Sequence, residues 1–504
     1  MRDIASAGFI LTVFIALLLK IATQGRRKDT SLQKLPGPKP LPILGNVWDI
    51  DKHAPWTTYK KWEAIYGGIL RCRLLSEEII VVNSLDIAKD LLGTRSSNYS
   101  SRPDNSIDEL IGSDWNSVNL AHGDLWRLHR KLLQQSFRPN AVLHYRLTQL
   151  KKTQELVISM LESPDKCITH LAQFSAATIL SIIYDYDVIE NDPILTSLEK
   201  WNRLILGLIT VEAWAMRSFL MRLPIWLTGT SLKEQGLLLR QYMSVWMEVP
   251  FEHVKNNITA GTAKPCMVSE MQSRLVESSE LGRPDKITRD VAATAFAAAV
   301  ETTSSVLHVF VLAMVMHPEV QERARAELDS ILGTDRLPTF EDRPFLPYLD
   351  AILRETLRWN PVVPLGVPHV VEEDDVYRGY HIPKGSTIYA NTWAMTRDET
   401  KYPEPSKFRP ERFLTTNGEL TDDTVGFVFG FGRRICVGRY FADGSTWLAI
   451  VSLLATFEFL KAVDENGNDI EVTAEFTSGV TSQPAPFPYR IIPRTLGADT
   501  ERLR

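Results

Sequence analysis

The sequence predicts a mainly α protein with small β-sheets, preceded by an N-terminal transmembrane helix. Three observations carry this. Residues 84–360 are patterned mostly as helix, β-like stretches are confined to short segments punctuated by Gly and Pro, and one long apolar run opens the chain. At 504 residues, 44% hydrophobic and 23% charged, the chain can bury a large core, which excludes disorder as its main state. A net charge of −5 argues against nucleic acid as the main partner. The four cysteines (Cys72, Cys167, Cys266 and Cys436) lie far apart and form no Cys-x-x-Cys pair. That excludes a disulfide scaffold and a structural zinc site, and leaves room for one cysteine with a chemical role.

The opening run, Ile4 to Ala22, would span roughly 28 Å as a helix, about the hydrocarbon thickness of a bilayer. Arg26, Arg27 and Lys28 follow at once and place the bulk of the protein in the cytosol. No small-residue cleavage site precedes this basic cluster, which argues against a cleaved secretory signal. Leu35-Pro-Gly-Pro-Lys-Pro-Leu-Pro42 cannot be helical and reads as a rigid elbow. The organisation expected is an anchor over 1–24, a basic and Pro-rich hinge over 25–42, and one large domain over 43–504.

Within that domain, residues 69–83 read as two strands and a turn. Thr288 to Met316 reads as one long helix, with Thr288 as N-cap and His317-Pro318 as its stop. Its middle is rich in alanine, so something can approach its backbone closely: a cofactor face or a tightly packed helix. Further helices are expected over Pro318–Leu332, Pro347–Trp359 and residues 439–457. Residues 361–395 turn β-like, with a hairpin signal at 379–385, and residues 470–493 read as short strands.

The segment richest in chemistry is Phe429-Gly-Phe-Gly432-Arg-Arg434-Ile-Cys436-Val-Gly438. Its glycines permit a tight loop with unusual backbone angles and leave space for a flat group. Nearby amides, arginines and the N-terminus of the following helix favour a thiolate at Cys436. Physics alone leaves two uses for such a sulfur, a metal ligand or a nucleophile.

This loop fits F-x-x-G-x-R-x-C-x-G at every fixed position, and here the chain resembles the cytochrome P-450 heme-thiolate monooxygenases. Other motifs follow in that family's order. Trp126-Arg-Leu-His-Arg130 matches W-x-x-x-R, Glu355-Thr-Leu-Arg358 matches E-x-x-R, and Pro410-Glu-Arg412-Phe413 matches P-E-R-F. Pro364-Leu-Gly366-Val-Pro-His369 resembles a propionate-contacting stretch of fungal members. The resemblance implies heme b with Cys436 as axial iron ligand, a thiolate that pushes electron density toward iron and favours O–O cleavage. It places Phe429, Gly432 and Gly438 in the cofactor-binding loop, and Arg434, Trp126, Arg130 and His369 at the propionates. Glu355, Arg358 and Arg412 become a buried structural network bracing the loop.

Ala298-Ala-Val-Glu301-Thr302-Thr303 resembles A-G-x-[D/E]-T-T. The implied roles are dioxygen binding and proton delivery for Thr302, with Glu301 in the relay. Alanine at 299 departs from the usual glycine and narrows the groove over the heme. The alternative for a mid-helix threonine is a local bond to the preceding turn.

The chain shows no Gly-x-Gly-x-x-Gly after a strand, so a separate NADPH–cytochrome P-450 reductase is implied, with cytochrome b5 as an optional second donor. Arg127, Lys131, Arg433 and Arg439 are expected to offer it a basic face. The pocket is expected near Leu110, Ile111, Phe296, Ala297, Val362, Val363, Leu365 and Val480, and its apolar character suits a lipophilic substrate. Trp201, Trp214, Trp226, Met216 and Met221 could dip into a bilayer or pack as core. The resulting expectation is an endoplasmic-reticulum enzyme, single-pass and facing the cytosol, that uses O2 to oxidise a secondary metabolite such as a terpenoid or polycyclic aromatic. A heme-thiolate isomerase or dehydratase, and a heme carrier without turnover, are the alternatives. The Glu301-Thr302 pair argues against both.

Overall fold

The computed structural model describes residues 32–103, 106–206, 231–277, 283–333 and 336–494. The anchor segment 1–24 and Trp214, Met216, Met221 and Trp226 lie outside them. In chain order, the strands are β1 (Gln33–Lys34), β2 (Ile69–Leu74), β3 (Glu77–Val82), β4 (His369–Val370), β5 (Asp375–Tyr377), β6 (Tyr380–Ile382), β7 (Thr387–Ala390), β8 (Phe457–Lys461) and β9 (Tyr489–Pro493). The principal helices are α1 (Pro55–Tyr66), α2 (Asp124–Phe137), α3 (Arg146–Glu162), α4 (Cys167–Tyr184), α5 (Pro193–Leu206), α6 (Ser231–Thr259), α7 (Met267–Glu277), α8 (Pro284–Met316), α9 (Pro318–Leu332), α10 (Pro347–Trp359) and α11 (Arg439–Thr456). The expected class, mainly helical with small sheets, is what the chain adopts.

The sheets join distant parts of the sequence. One has strand order β2-β3-β7-β4, with β3 and β7 parallel so that Val82 faces Ala390. A second has order β1-β6-β5, and β8 pairs with β9. The pairing of β1 with β6 ties the start of the Pro-rich stretch to the body of the molecule. Gln33 and Lys34 align with Tyr380 and His381, the Arg71 N–H donates to the Pro36 carbonyl at 2.9 Å, and Arg71 Nε donates to the Leu35 carbonyl at 2.9 Å. Prolines lack an N–H but keep their carbonyls, so the stretch is stitched onto the body from one side.

Helix α8 begins at Pro284, four residues before the expected N-cap. Proline at N1 has the required φ and needs no N–H partner there, and Thr288 is buried inside the helix. Both halves of α8 lie in cores. Val306 to Val315 pack with Trp447, Leu448 and Leu453 of α11 and with Leu349 and Leu353 of α10. Val291 to Phe296 pack with Trp246 of α6 and Ile179 and Ile183 of α4. Between these halves burial lapses: Ala298 is exposed, and Glu301 and Thr302 are half-buried. Helix α8 and the segment Pro164–Tyr184 are long and apolar enough to cross a membrane by length and composition, but most of each is buried in this core.

The C-terminal expectation needs correction. Residues 470–488 hold no strand of a sheet; they carry a single bridge, Phe476 with Pro484. The loops are too short and polar to sustain ladders, and only β9 pairs at length.

Candidate functional site

The cysteine loop is built from two short 3₁₀ turns, Gly426–Phe429 and Gly432–Arg434, followed by Gly438 as the N-cap of α11. The Cys436 N–H donates to the Phe429 carbonyl at 2.8 Å and closes the loop. At Gly432, φ is +51° and a Cβ would sit 2.1 Å from the Leu92 carbonyl oxygen. The protein's own backbone therefore forbids a side chain there. At Gly438 a Cβ would meet Cys436 Sγ only at 4.0 Å, an ordinary contact.

Cys436 sits before the first residue of α11, where the Gly438 and Arg439 N–H groups bond toward its sulfur. Burial nevertheless raises its thiol above the ordinary value. These amides, and the charges of Arg130 and Arg439, oppose that rise without overcoming it. A bound metal ion would supply the further charge that holds the sulfur as a thiolate. Cys436 is closely surrounded by protein, yet the residue is exposed. It is therefore the one cysteine that is not a packed core side chain. Cys72, Cys167 and Cys266 are all buried and free. Desolvation pushes each up, Cys167 to about 12.

Around this loop lies a surplus of cations. Arg434 donates to the carbonyls of Ser100 (2.8 Å), Ser117 (3.4 Å) and Leu120 (2.7 Å) and stacks 4.1 Å over the Trp126 ring. Burial, then the charge of Arg130, pushes Arg434 down to about 9. Arg130 is lowered by burial and held up in part by Cys436. Arg102, which the sequence reading missed, is 9% exposed and donates to the carbonyls of Val118, Val367 and Pro368. His369 opens β4, is buried, and donates from Nδ1 to the Tyr99 carbonyl at 2.7 Å. Burial and then Arg102 hold His369 well below its ordinary pKa, so its ring is neutral. Arg102, Arg130 and Arg434 form no ion pair with Asp or Glu among the described residues. The acid closest in effect, Glu372, is bonded to His122 at 3.0 Å. Unpaired buried cations are costly, so this donor set suits a ligand with carboxylates.

The structure brings Glu355, Arg358 and Arg412 together. Arg358 donates to both Glu355 oxygens at 2.6 and 2.8 Å, and Arg412 Nε to Oε1 at 3.1 Å. Glu355 and Arg358 are fully buried. The remaining Arg358 donors hold the carbonyls of Thr396, Pro405 and Lys407. The network makes no direct bond to the cysteine loop. It reaches it through Phe413, which shares a core with Phe427 and Phe431.

On α8, Thr302 Oγ1 donates to the Ala298 carbonyl at 2.8 Å, the local bond expected of a mid-helix threonine. Hydroxyls also reach the next three carbonyls. Ser175 of α4 donates to Val300 (2.7 Å) and Ala299 (3.3 Å), and Ser304 and Ser305 donate to Glu301. The Glu301 carboxylate accepts from Thr481 Oγ1, a partner absent from the sequence reading.

Of the expected pocket wall, Phe296 is fully buried against Trp246, and Ile111 packs with Ile205 and Leu239. Both are core. Val480 is 46% exposed beside Thr481. Of the expected basic face, Arg127, Lys131 and Arg433 are exposed, while Arg439 donates to the Cys436 carbonyl at 2.8 Å and is part of the loop.

The family model for cytochrome P450 matches residues 35–489. The chain is 39% identical over 473 residues to cytochrome P450 monooxygenase ple1 of Rhodocybe pseudopiperita, covering 92% of this chain and 90% of that protein. It is 35% identical over 508 residues to a cytochrome P450 monooxygenase of Armillaria gallica, covering 98% of each. It is also 35% identical over 497 residues to tryptamine 4-monooxygenase of Psilocybe cyanescens, covering 96% and 98%.

Proposed function

The chain belongs to the cytochrome P450 family of monooxygenases, and on that footing we propose that it hydroxylates a lipophilic small molecule with one atom of O2. The balance is RH + O2 + NADPH + H⁺ → ROH + H2O + NADP⁺. The electrons pass through a separate NADPH-dependent reductase, with cytochrome b5 as a second possible donor.

The family binds heme b through an axial cysteine thiolate. The residues of this chain fit that group: one accessible sulfur at a helix N-terminus for the iron, and arginines without an acidic partner, Arg102 buried and Arg130 and Arg434 half-buried, for two propionates. Cys436 would hold the metal, and Arg102, Arg130 and Arg434, with Trp126 and His369, would hold the carboxylates. When bound, heme supplies the activation of O2.

The protein's part is to bind, orient and move protons. Thr302 Oγ1 gives its hydrogen to the Ala298 carbonyl, so its lone pairs remain as an acceptor. It therefore holds a proton donor such as water in place and does not release its own proton. Glu301, one residue earlier and half-buried, carries protons from solvent to that water.

The substrate class we propose is a terpenoid or aromatic secondary metabolite. What supports it is a set of fungal relatives, one of them named for tryptamine 4-monooxygenation. Anchoring in the endoplasmic-reticulum membrane through residues 4–22 rests on their length and apolarity and on the basic cluster that follows.

The observation that carries the reading is Cys436, accessible yet enclosed at the head of α11. Cys436→Ser should abolish the red-shifted Soret band of the ferrous carbon monoxide complex. Retention of that band would remove the ligand assignment.

A further inference from the structure

The Glu301 carboxylate has a built partner 180 residues away in sequence. Residues 476–484 form a hairpin-like loop closed by the Phe476–Pro484 bridge. The Thr477 N–H donates to the Gln483 carbonyl at 2.8 Å, and the Gln483 N–H to Thr477 Oγ1 at 3.2 Å. The loop is also held from outside. The Ser482 N–H donates to the Val362 carbonyl at 2.7 Å, Asn360 Nδ2 to the Ser482 carbonyl at 3.3 Å, and Ser305 Oγ of α8 to Gln483 Oε1 at 3.4 Å. Ser482 is fully buried. Thr481 therefore stands on a fixed backbone, next to the buried Ser482, with its hydroxyl donated to Glu301 Oε1.

A glutamate on a helix surface otherwise samples several rotamers, and fixing it in one costs side-chain entropy. A single donor on one oxygen fixes the carboxylate while leaving the other, Oε2, free to take a proton. We propose that Thr481 is a positioning residue that pins Glu301 in its proton-carrying orientation, coupling the C-terminal loop to oxygen chemistry on α8. This rests on the reading of Glu301 as the proton carrier. In the balance above, two electrons and two protons convert RH and O2 to ROH and H2O. If the protons arrive out of step, O2 leaves as H2O2 with the same two electrons and two protons, and RH is untouched.

The test compares wild type, Thr481→Val, Thr481→Ala, Thr481→Ser and Glu301→Gln as full-length, heme-loaded protein. Carbon monoxide is the probe, because its stretching frequency in the ferrous complex senses polar groups beside it. Wild type and Thr481→Ser should give one narrow band. Thr481→Val, which fills the site without a donor, and Thr481→Ala, which removes the donor and leaves the space open, should give a broadened or split band at unchanged heme content, and Glu301→Gln should shift it. With purified reductase and no added substrate, peroxide formed per NADPH should rise several-fold in the Val and Ala variants and return to the wild-type level in Ser. A shift in Glu301→Gln with wild-type behaviour in Val and Ala overturns the positioning role and leaves the proton carrier standing. No shift and no extra peroxide in Glu301→Gln overturns both.

Discussion

Neutralising Glu355 removes the one carboxylate paired with Arg358 and Arg412 among the described residues. Glu355→Gln keeps the volume but strands two arginine charges, with Arg358 fully buried and Arg412 nearly so. Breaking a buried pair in this way costs on the order of 3–5 kcal/mol, whereas an exposed pair such as Arg203 with Glu199 contributes about 0–1 kcal/mol. The expected outcome is a large fall in the urea midpoint and in heme-loaded yield for Glu355→Gln, against almost no change for Glu199→Gln. Equal midpoints for the two variants would show the network to be dispensable. Glu355 and Arg358 were legible in the sequence because their spacing is local, three residues on one helix face. Arg102 was not. Its partners are the carbonyls of Val118, Val367 and Pro368, and no periodicity in residues 96–103 points to them. Thr481 escaped for the same reason, since its meaning lies in a carboxylate on another element.

The cysteine loop shows how one element limits another. Gly432 is held at φ +51° with the Leu92 carbonyl where its Cβ would be, while Gly467 has φ +81° and nothing within 4 Å. Alanine at either position meets the left-handed backbone penalty, about 1–2 kcal/mol. Only at 432 must it also displace a backbone carbonyl. Gly432→Ala should therefore lower the unfolding midpoint by clearly more than Gly467→Ala and reduce the heme-to-protein ratio, which Gly467→Ala should leave alone. Equal losses would mean that contact with Leu92 is not what requires glycine. Element boundaries followed the strength of local signals. The strands of 69–83 and the helices Pro318–Leu332 and Pro347–Trp359 lie where alternation, proline and caps put them. The start of α8 does not, because Pro284 serves as N1 as readily as Thr288 serves as N-cap. The stitching of β1 onto β6 was hidden because pairing across about 350 residues leaves no trace in a proline-rich pattern.

Across the whole molecule, buried histidines tie stability to pH. His129 on α2 is 1% exposed, with Nδ1 bonded to Ser117 Oγ at 2.8 Å, and that serine meets Thr294 of α8. The other charged group acting on His129 is Lys286 of α8; Arg130 and Lys131 follow it on its own helix. Burial, then Lys286, pushes His129 from 6.5 down to about 4. The unfolded chain thus binds a proton that the folded chain refuses between pH 6.5 and pH 4. Stability from this site is complete above about pH 6.5 and is lost progressively as pH falls toward 4, in total about 3 kcal/mol. His369 is held down as well, by burial first and then by the charges of Arg102 and Arg434. A bound carboxylate between those arginines would offset their part of the effect and leave the burial in place. Urea unfolding of wild type and His129→Gln at half-unit steps from pH 7.5 to pH 5 reads this directly. The variant begins less stable at pH 7.5, because its contact with Ser117 is imperfect. The gap should then close as pH falls, since glutamine takes up no proton. Parallel lines across that range would mean that His129 does not carry the acid sensitivity of the fold.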